Sequence, residues 1–375
     1  MKAEVAIVGA GVVGGASALA LARRGVSVVL LEAEAEPGLA ASGTNSGILH
    51  TGFDSPPGEL ETDLILRAAE LREPVLEALG VPSLRCGSLM RPGAPGEREA
   101  VSALAENARR NGVDATLRDD DALEVPGETV TDPVAYTLAL AGAAVRQGAL
   151  MRTGFRVESI ERDRSGFSLA SGGDDPVRSR VVVNCAGLGA GALARLTGDD
   201  SFDVYPRKGE FLVFEPPDAQ LETILLPVPS KRTKGVLVFP TLDGKVVAGP
   251  TAVDQEDSGD WSVRPNALGE IIPKAAAIYP PLEGAEPVDA YAGLRPAGRG
   301  VNYLVGPSRA CPGLVNAAAI RSTGLTASLA IGERVREIVA GLGVELGPER
   351  PIEPGGLETS FDGPWWRRSR EYWAA

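Results

Sequence analysis

Blocks of apolar residues, each stopped by glycine or a polar turn, punctuate the chain from its first residues. Residues 3–8 (AEVAIV) are short, apolar and β-branched, which predicts a buried strand. Residues 12–24 predict a helix that stops at Gly25, and residues 26–31 (VSVVLL) a second buried strand. A strand–helix–strand unit this tight requires parallel pairing through a right-handed crossover.

Further along, the pattern predicts helices over 61–79 and 97–111. Asp132-Pro133 opens another, running to 147, with an N-cap acceptor followed by proline at the first helical position. Residues 150–171 predict a strand pair turned at Asp163–Gly166, and 179–185 a buried strand. Strands at 203–215, 235–240 and 244–249 read as a separate sheet, with Asp243-Gly244 as a hairpin turn. Strands at 287–295 and 313–319 and a closing helix at 324–340 complete the pattern.

The fold class is therefore α/β with a mixed component: a Rossmann-like parallel sheet plus a mixed or antiparallel sheet. A chain of 375 residues suggests two domains at roughly 100–200 residues each. Strands 3–8, 26–31 and 179–185 belong to one parallel sheet, so the cofactor domain is discontinuous. It takes 1–80, 133–202 and 303–345. The substrate domain takes 81–132 and 203–302, and a proline- and glycine-rich tail takes 346–375. Trp365, Trp366 and Trp373 lie in that tail, beside several arginines. One reading docks the tail on its own domain; the other makes it an aromatic and basic contact to a membrane surface or partner.

Charge narrows the partners. A formal net charge of −13 argues against nucleic acid, which needs concentrated positive charge. It also means that an anionic substrate needs a local cluster of basic residues. Cys86, Cys185 and Cys311 form no CxxC pair, so no metal site is indicated, and their sparseness fits a reducing, cytoplasmic setting. No apolar run is long enough to span a membrane. Glu4 interrupts the apolar N-terminus and Arg23-Arg24 follow it, the wrong charge order for an export signal.

Gly9-Ala10-Gly11-Val12-Val13-Gly14 sits between the first strand and helix. Gly9 permits the tight turn, Gly11 lets backbone approach a pyrophosphate, and Gly14 lets helix and strand pack closely. The helix N-terminus presents unsatisfied donors and a positive dipole end to the phosphates. Glu32 ends the second strand, where a carboxylate accepts hydrogen bonds from ribose hydroxyls. Such a unit binds a dinucleotide but does not by itself separate FAD from NAD.

The segments ASGTNSGILHTG (41–52) and VVVNCAGLGAG (181–191) resemble the flavin-facing motifs of the D-amino-acid-oxidase-like superfamily. NSGILHTGFDSPPGELETDL (45–64), PRKGEF (206–211), KGVLVFPTLDGKVVAGPTA (234–252), AGLRP (292–296) and RSTGLTAS (321–328) narrow the likeness. Together they are similar to FAD-dependent glycerol-3-phosphate dehydrogenases and to L-2-hydroxyglutarate oxidases, over residues 3–342.

That resemblance implies FAD as cofactor. Ser42, Thr44, Asn45, Ser46 and Gly47 would cradle it with Ala186 and Gly187. The closing helix, entered through Thr323, Gly324, Leu325 and Thr326, would point its donors at the flavin's N1–C2 edge. The alternative is an ordinary helix capped by Ser322 or Thr323. The resemblance also implies hydride transfer from a small anionic hydroxy compound, glycerol-3-phosphate-like, to flavin N5. A 2-hydroxy acid and an amine are the alternatives. Many long bacterial relatives add a cysteine-rich domain. Without one, electrons would pass directly to an external acceptor: oxygen, a quinone or a carrier.

His50, the only histidine, falls in the flavin-facing segment. It reads as a base or substrate-orienting group, as a covalent flavin link, or as a buried histidine without chemistry. Arg295 and Arg321 read as anion clamps or as structural ion pairs. Lys208, Lys231, Arg232 and Lys234 form a secondary basic group.

Overall fold

The structure, a computed structural model, describes residues 1–217, 220–229 and 235–374. Lys2–Val8 pairs in parallel with Val28–Leu31 on one side and with Val177–Asn184 on the other. Leu150–Arg152 and Leu314–Ala318 extend this sheet in parallel at either edge. Its central strands are continuously apolar because both faces are covered. Val5, Ile7, Val28 and Leu30 pack on the helices Val12–Ala22, Leu60–Leu79, Pro133–Arg146 and Gly324–Gly341. Ala6, Val8, Val29 and Leu31 pack on Phe155, Ile160, Phe167 and Leu193. The Asp132 side chain caps its helix as the Asp-Pro pair predicts, accepting from the N–H groups of Val134 at 2.8 Å and Ala135 at 2.9 Å.

A second, mixed sheet is built around the ladder of Val204–Phe214 with Asp289–Gly298. This antiparallel register sets Arg207 opposite Arg295 and Gly209 opposite Gly293. Leu237–Pro240 and Val246–Gly249 form the hairpin predicted from Asp243-Gly244. Residues 81–132 add the strands Ser88–Met90, Thr116–Leu117 and Leu123–Val125. A small third sheet joins Ile48–Leu49, Thr129–Thr131 and Ser83–Leu84, across the boundary expected after residue 80.

Other elements also depart from the sequence pattern. The strand pair turned at Asp163–Gly166 is present as Ser159–Asp163 with Gly166–Ala170, but it is shorter than the 150–171 expected, because Leu150–Arg152 joins the parallel sheet instead. A helix at Ala267–Ile278 escapes the pattern because Pro273 lies inside it and breaks the apparent helical run. The tail ends in a further helix, Trp365–Ala374.

Of the two readings of the tail, the structure supports docking on the chain itself. Trp366 is buried in the core beneath the second sheet, and Trp365 and Trp373 are partly buried in ring contacts. No helix among the described residues is long and apolar enough to cross a membrane.

Candidate functional site

The carboxyl ends of the parallel strands open into a trough of about 730 Å³. It runs past Gly9, Gly11 and Glu32, then Ala186 and Gly187, to Arg321, Gly324 and Leu325. The glycines are present for steric reasons. A Cβ on Gly9 would stand 2.3 Å from the Cys185 carbonyl oxygen, and one on Gly14 would stand 1.8 Å from the Gly9 oxygen. Gly14→Ala is therefore expected to force strand and helix apart. The Tm and the bound-flavin absorbance should fall together, with a stability loss of about 1–3 kcal/mol or more.

Glu32 is turned back onto the glycine loop. Its oxygens accept from Ala10 N–H at 2.8 Å and Glu34 N–H at 3.1 Å. Burial raises its pKa above the ordinary carboxylate value, against the pull of those donors. Ser42 Oγ accepts from Val12 N–H at 3.0 Å and so caps the first helix. Asn45 Oδ1 accepts from Gly47 N–H at 3.1 Å, which folds the 41–47 loop tightly.

Among the described residues, Thr323 at the N-cap of the closing helix makes no side-chain cap. The Thr323 hydroxyl lies 2.6 Å from both Glu61 Oε1 and the Tyr303 hydroxyl instead. The first-turn donors of a helix at the trough's end are thus left for a ligand, the arrangement that suits an anionic ring edge. The glycine turn, the trough and this uncapped helix together fit an FAD molecule.

A second cavity, of about 410 Å³, shares Ala41, Asn45, Arg321 and Ser322 with the trough. Its walls include Thr44, Ser46, His50, Arg207, Arg295 and Thr323. His50 Nδ1 lies 2.8 Å from Glu128 Oε2. Glu128 is fully buried, and its Oε1 accepts from Thr51 N–H at 2.7 Å and Thr51 Oγ1 at 2.8 Å. Burial alone would raise the Glu128 pKa, but His50 and the Thr51 donors outweigh it and hold the carboxyl below its usual range. An ionised carboxylate only accepts, so Nδ1 must carry a proton and neutral His50 keeps Nε2 as an acceptor. Arg72 fixes the backbone beneath, donating to the carbonyls of Leu49 and His50.

Because the folded carboxyl is depressed, Glu128 contributes stability above the ordinary value of 4.5. That contribution is lost as pH falls through the lower folded value. Thermal melts between neutral and acid pH should show this loss in the native protein. Glu128→Gln should flatten it.

Arg295 has no carboxylate partner among the described residues. Its Nε donates to Arg207 O at 3.2 Å, and its Nη2 donates to Lys208 O at 3.1 Å and Thr251 O at 2.6 Å. Thr251 is itself held by Glu210, which Arg264 grips as a fork. Burial, with Arg207 and Arg321 nearby, lowers the Arg295 pKa to about 10, so it stays cationic at neutral pH. Arg207 pairs with Asp254 at 2.8 Å, and Arg321 is 47 % exposed and only 3.9 Å from Glu61. A cationic wall in an acidic chain suits a small anion.

Several expected site residues serve other ends. Gly14, Gly47 and Thr326 line neither cavity. Gly47 O accepts from Thr131 N–H at 2.8 Å, and Thr326 Oγ1 accepts from His50 N–H at 3.1 Å. Lys208 is 1 % exposed and tied to Asp260 at 2.7 Å, so it is no part of an anion clamp. Lys231, Arg232 and Lys234 lie outside the described residues. Sequence reasoning missed Glu128, Glu61 and Arg207. Only Arg207 had a local signal, its place in PRKGEF on the strand facing AGLRP.

A glycine-turn trough joined to a cationic cavity defines a dinucleotide-dependent oxidoreductase. The family described as DAO, FAD dependent oxidoreductase, matches residues 4–338, and the chain belongs to it. It is 28 % identical to glycerol 3-phosphate dehydrogenase of Caloramator mitchellensis, over 96 % of this chain and 79 % of that protein. The bovine mitochondrial L-2-hydroxyglutarate dehydrogenase is also 28 % identical, over 67 % of this chain and 61 % of its own length. Among solved structures, reduced L-alpha-glycerophosphate oxidase from Mycoplasma pneumoniae, with FAD bound, superposes with a TM-score of 0.87. It is 25 % identical, over 96 % of this chain and 100 % of that one. Glycine oxidase from Geobacillus kaustophilus gives a TM-score of 0.80 at 25 % identity, over 96 % of each chain. The protein is thus an FAD-dependent enzyme with an α/β fold combining parallel and mixed sheets.

Proposed function

We propose that the protein oxidises the CH–OH group of a small anion of the glycerol 3-phosphate type, in the cavity between Arg295 and His50. The observation that carries this reading is the pairing, in one cavity, of a buried guanidinium with no carboxylate partner among the described residues and a histidine locked onto a buried carboxylate. Arg295 binds the substrate's phosphate or carboxylate, with Arg207 and Arg321 beside it. His50 Nε2 accepts the hydroxyl proton, and Glu128 stabilises the imidazolium that results. FAD, when bound, supplies the two-electron acceptor. Cys185 is excluded from this chemistry, since burial pushes its thiol up to about 12.

The glycerol 3-phosphate relatives support this substrate class over most of the chain. A 2-hydroxy acid is the second reading, because guanidinium groups hold carboxylates equally well and the L-2-hydroxyglutarate relatives align over two thirds of the chain. Electrons then leave for oxygen, a quinone or another carrier. The test is anaerobic. The purified protein is mixed with glycerol 3-phosphate, L-2-hydroxyglutarate and glycine, and flavin bleaching is followed. Fastest bleaching by glycerol 3-phosphate is expected. Bleaching by glycine alone would replace the reading with amine oxidation.

A further inference from the structure

The segment after the closing helix crosses from the first sheet to the second and ends over the trough. Arg350 begins the tie, donating to the carbonyls of Ala22 at 2.6 Å and Gln147 at 2.7 Å. Thr359 and Ser360 then reach Glu36, whose carboxyl also takes Arg368 at 2.7 Å. Burial opposes ionisation of Glu36, yet these donors hold it at about 2, so the contact with Arg368 is charged at neutral pH. On the far side, Arg367 and Arg370 both grip Asp289 on the long strand of the second sheet. The helix Trp365–Ala374 is thereby fastened to the loop that follows Val28–Leu31 and to the second sheet.

Its last turn brings Trp373 to the opening. Trp373 Nε1 donates to Leu39 O at 2.8 Å. Its ring lies flat on Trp261, with centroids 5.1 Å apart and 5° between the planes. Trp261 arrives from the opposite side, next to the Asp260 that holds buried Lys208 at 2.7 Å. Both indoles line the trough. Tyr372 donates to Glu34 at 2.9 Å, beside the Glu32 end. Trp261 Nε1 is buried without a partner among the described residues. An unmet donor destabilises the fold, so this indole is not placed there for stability alone.

We propose that the Trp261–Trp373 pair is part of the FAD site, a wall contributed by the C-terminal helix that closes the trough and governs release of the cofactor. The inference rests on FAD binding and not on the substrate assigned above. FAD leaves only when the stack parts and the bond to Leu39 breaks. By linkage, bound FAD must hold the tail down by the same factor with which the tail holds FAD.

The test begins with purified holoprotein diluted into buffer, with FAD release followed by the recovery of flavin fluorescence. Trp373→Ala and Trp261→Ala are each expected to speed release about tenfold, the contribution of one stacked aromatic pair. The double variant should release no faster than either single one, because the two rings act as a unit. Trp373→Phe keeps a stacking ring and should recover most of the loss. Release within twofold of the native rate in both single variants would overturn the proposal. So would additive effects in the double variant. A second measurement uses the native chain, in case a variant fails to fold. Trypsin should cut at Arg367, Arg368 and Arg370 about tenfold more slowly with FAD bound than without, and equal rates would overturn the proposal.

Discussion

His50→Gln is expected to slow substrate oxidation by about 10²–10⁴-fold while leaving FAD bound, the range that loss of a positioned base produces. Glutamine can still hydrogen-bond Glu128, so the buried carboxylate keeps a partner and the fold should survive. It cannot accept a proton at Nε2. The loss should therefore fall on kcat and on the rate of flavin reduction, with KM little changed. Rapid-mixing absorbance of the flavin measures the rate, and steady-state turnover measures KM. A variant that reduces its flavin at the native rate would assign His50 to structure.

Arg295→Ala is expected to impair substrate affinity far more than cofactor content. Truncating one partner of a buried charged contact costs about 2–5 kcal/mol of binding. Most of that should appear in KM. The same change empties the space between Arg207 O, Lys208 O and Thr251 O and leaves those carbonyls without their donor. Some stability will therefore be lost, and flavin content provides the control. Arg295→Lys separates the contributions, since it keeps a charge but cannot span the carbonyls and a two-pronged anion together. Its KM should lie between those of the native protein and the alanine variant. Equal loss of flavin and substrate binding would make Arg295 a structural residue.

The glycine turn was legible because its chemistry is local. Gly9 takes a φ of 103° in the turn and Gly14 packs on the Gly9 carbonyl, both within one strand–helix–strand unit, although Gly9 and Gly11 also meet Cys185 and Ser42 from outside it. The buried strands were legible for a similar reason, since continuous apolar runs mark a sheet covered on both faces. Glu128 was not legible. It sits between two short strands and meets His50 only through the three-stranded sheet that pairs Ile48–Leu49 with Thr129–Thr131. No spacing in the chain announces a contact made across that distance in sequence. The Arg207–Arg295 neighbourhood likewise exists only through the register of two strands distant in the chain. Pro273 and the aromatic tail misled in the other direction. Each resembles a loop in sequence, and tertiary packing makes a helix of it.

The same cavity explains why anion binding and proton removal should be coupled, because Arg295 and His50 share its walls. The most direct measurement compares glycerol 3-phosphate with glycerol, its uncharged parent, in anaerobic reduction of the bound flavin. The phosphate ester should bleach the flavin at least about a hundredfold faster at equal concentration, consistent with a buried charged contact. Equal rates for the two compounds would contradict the account.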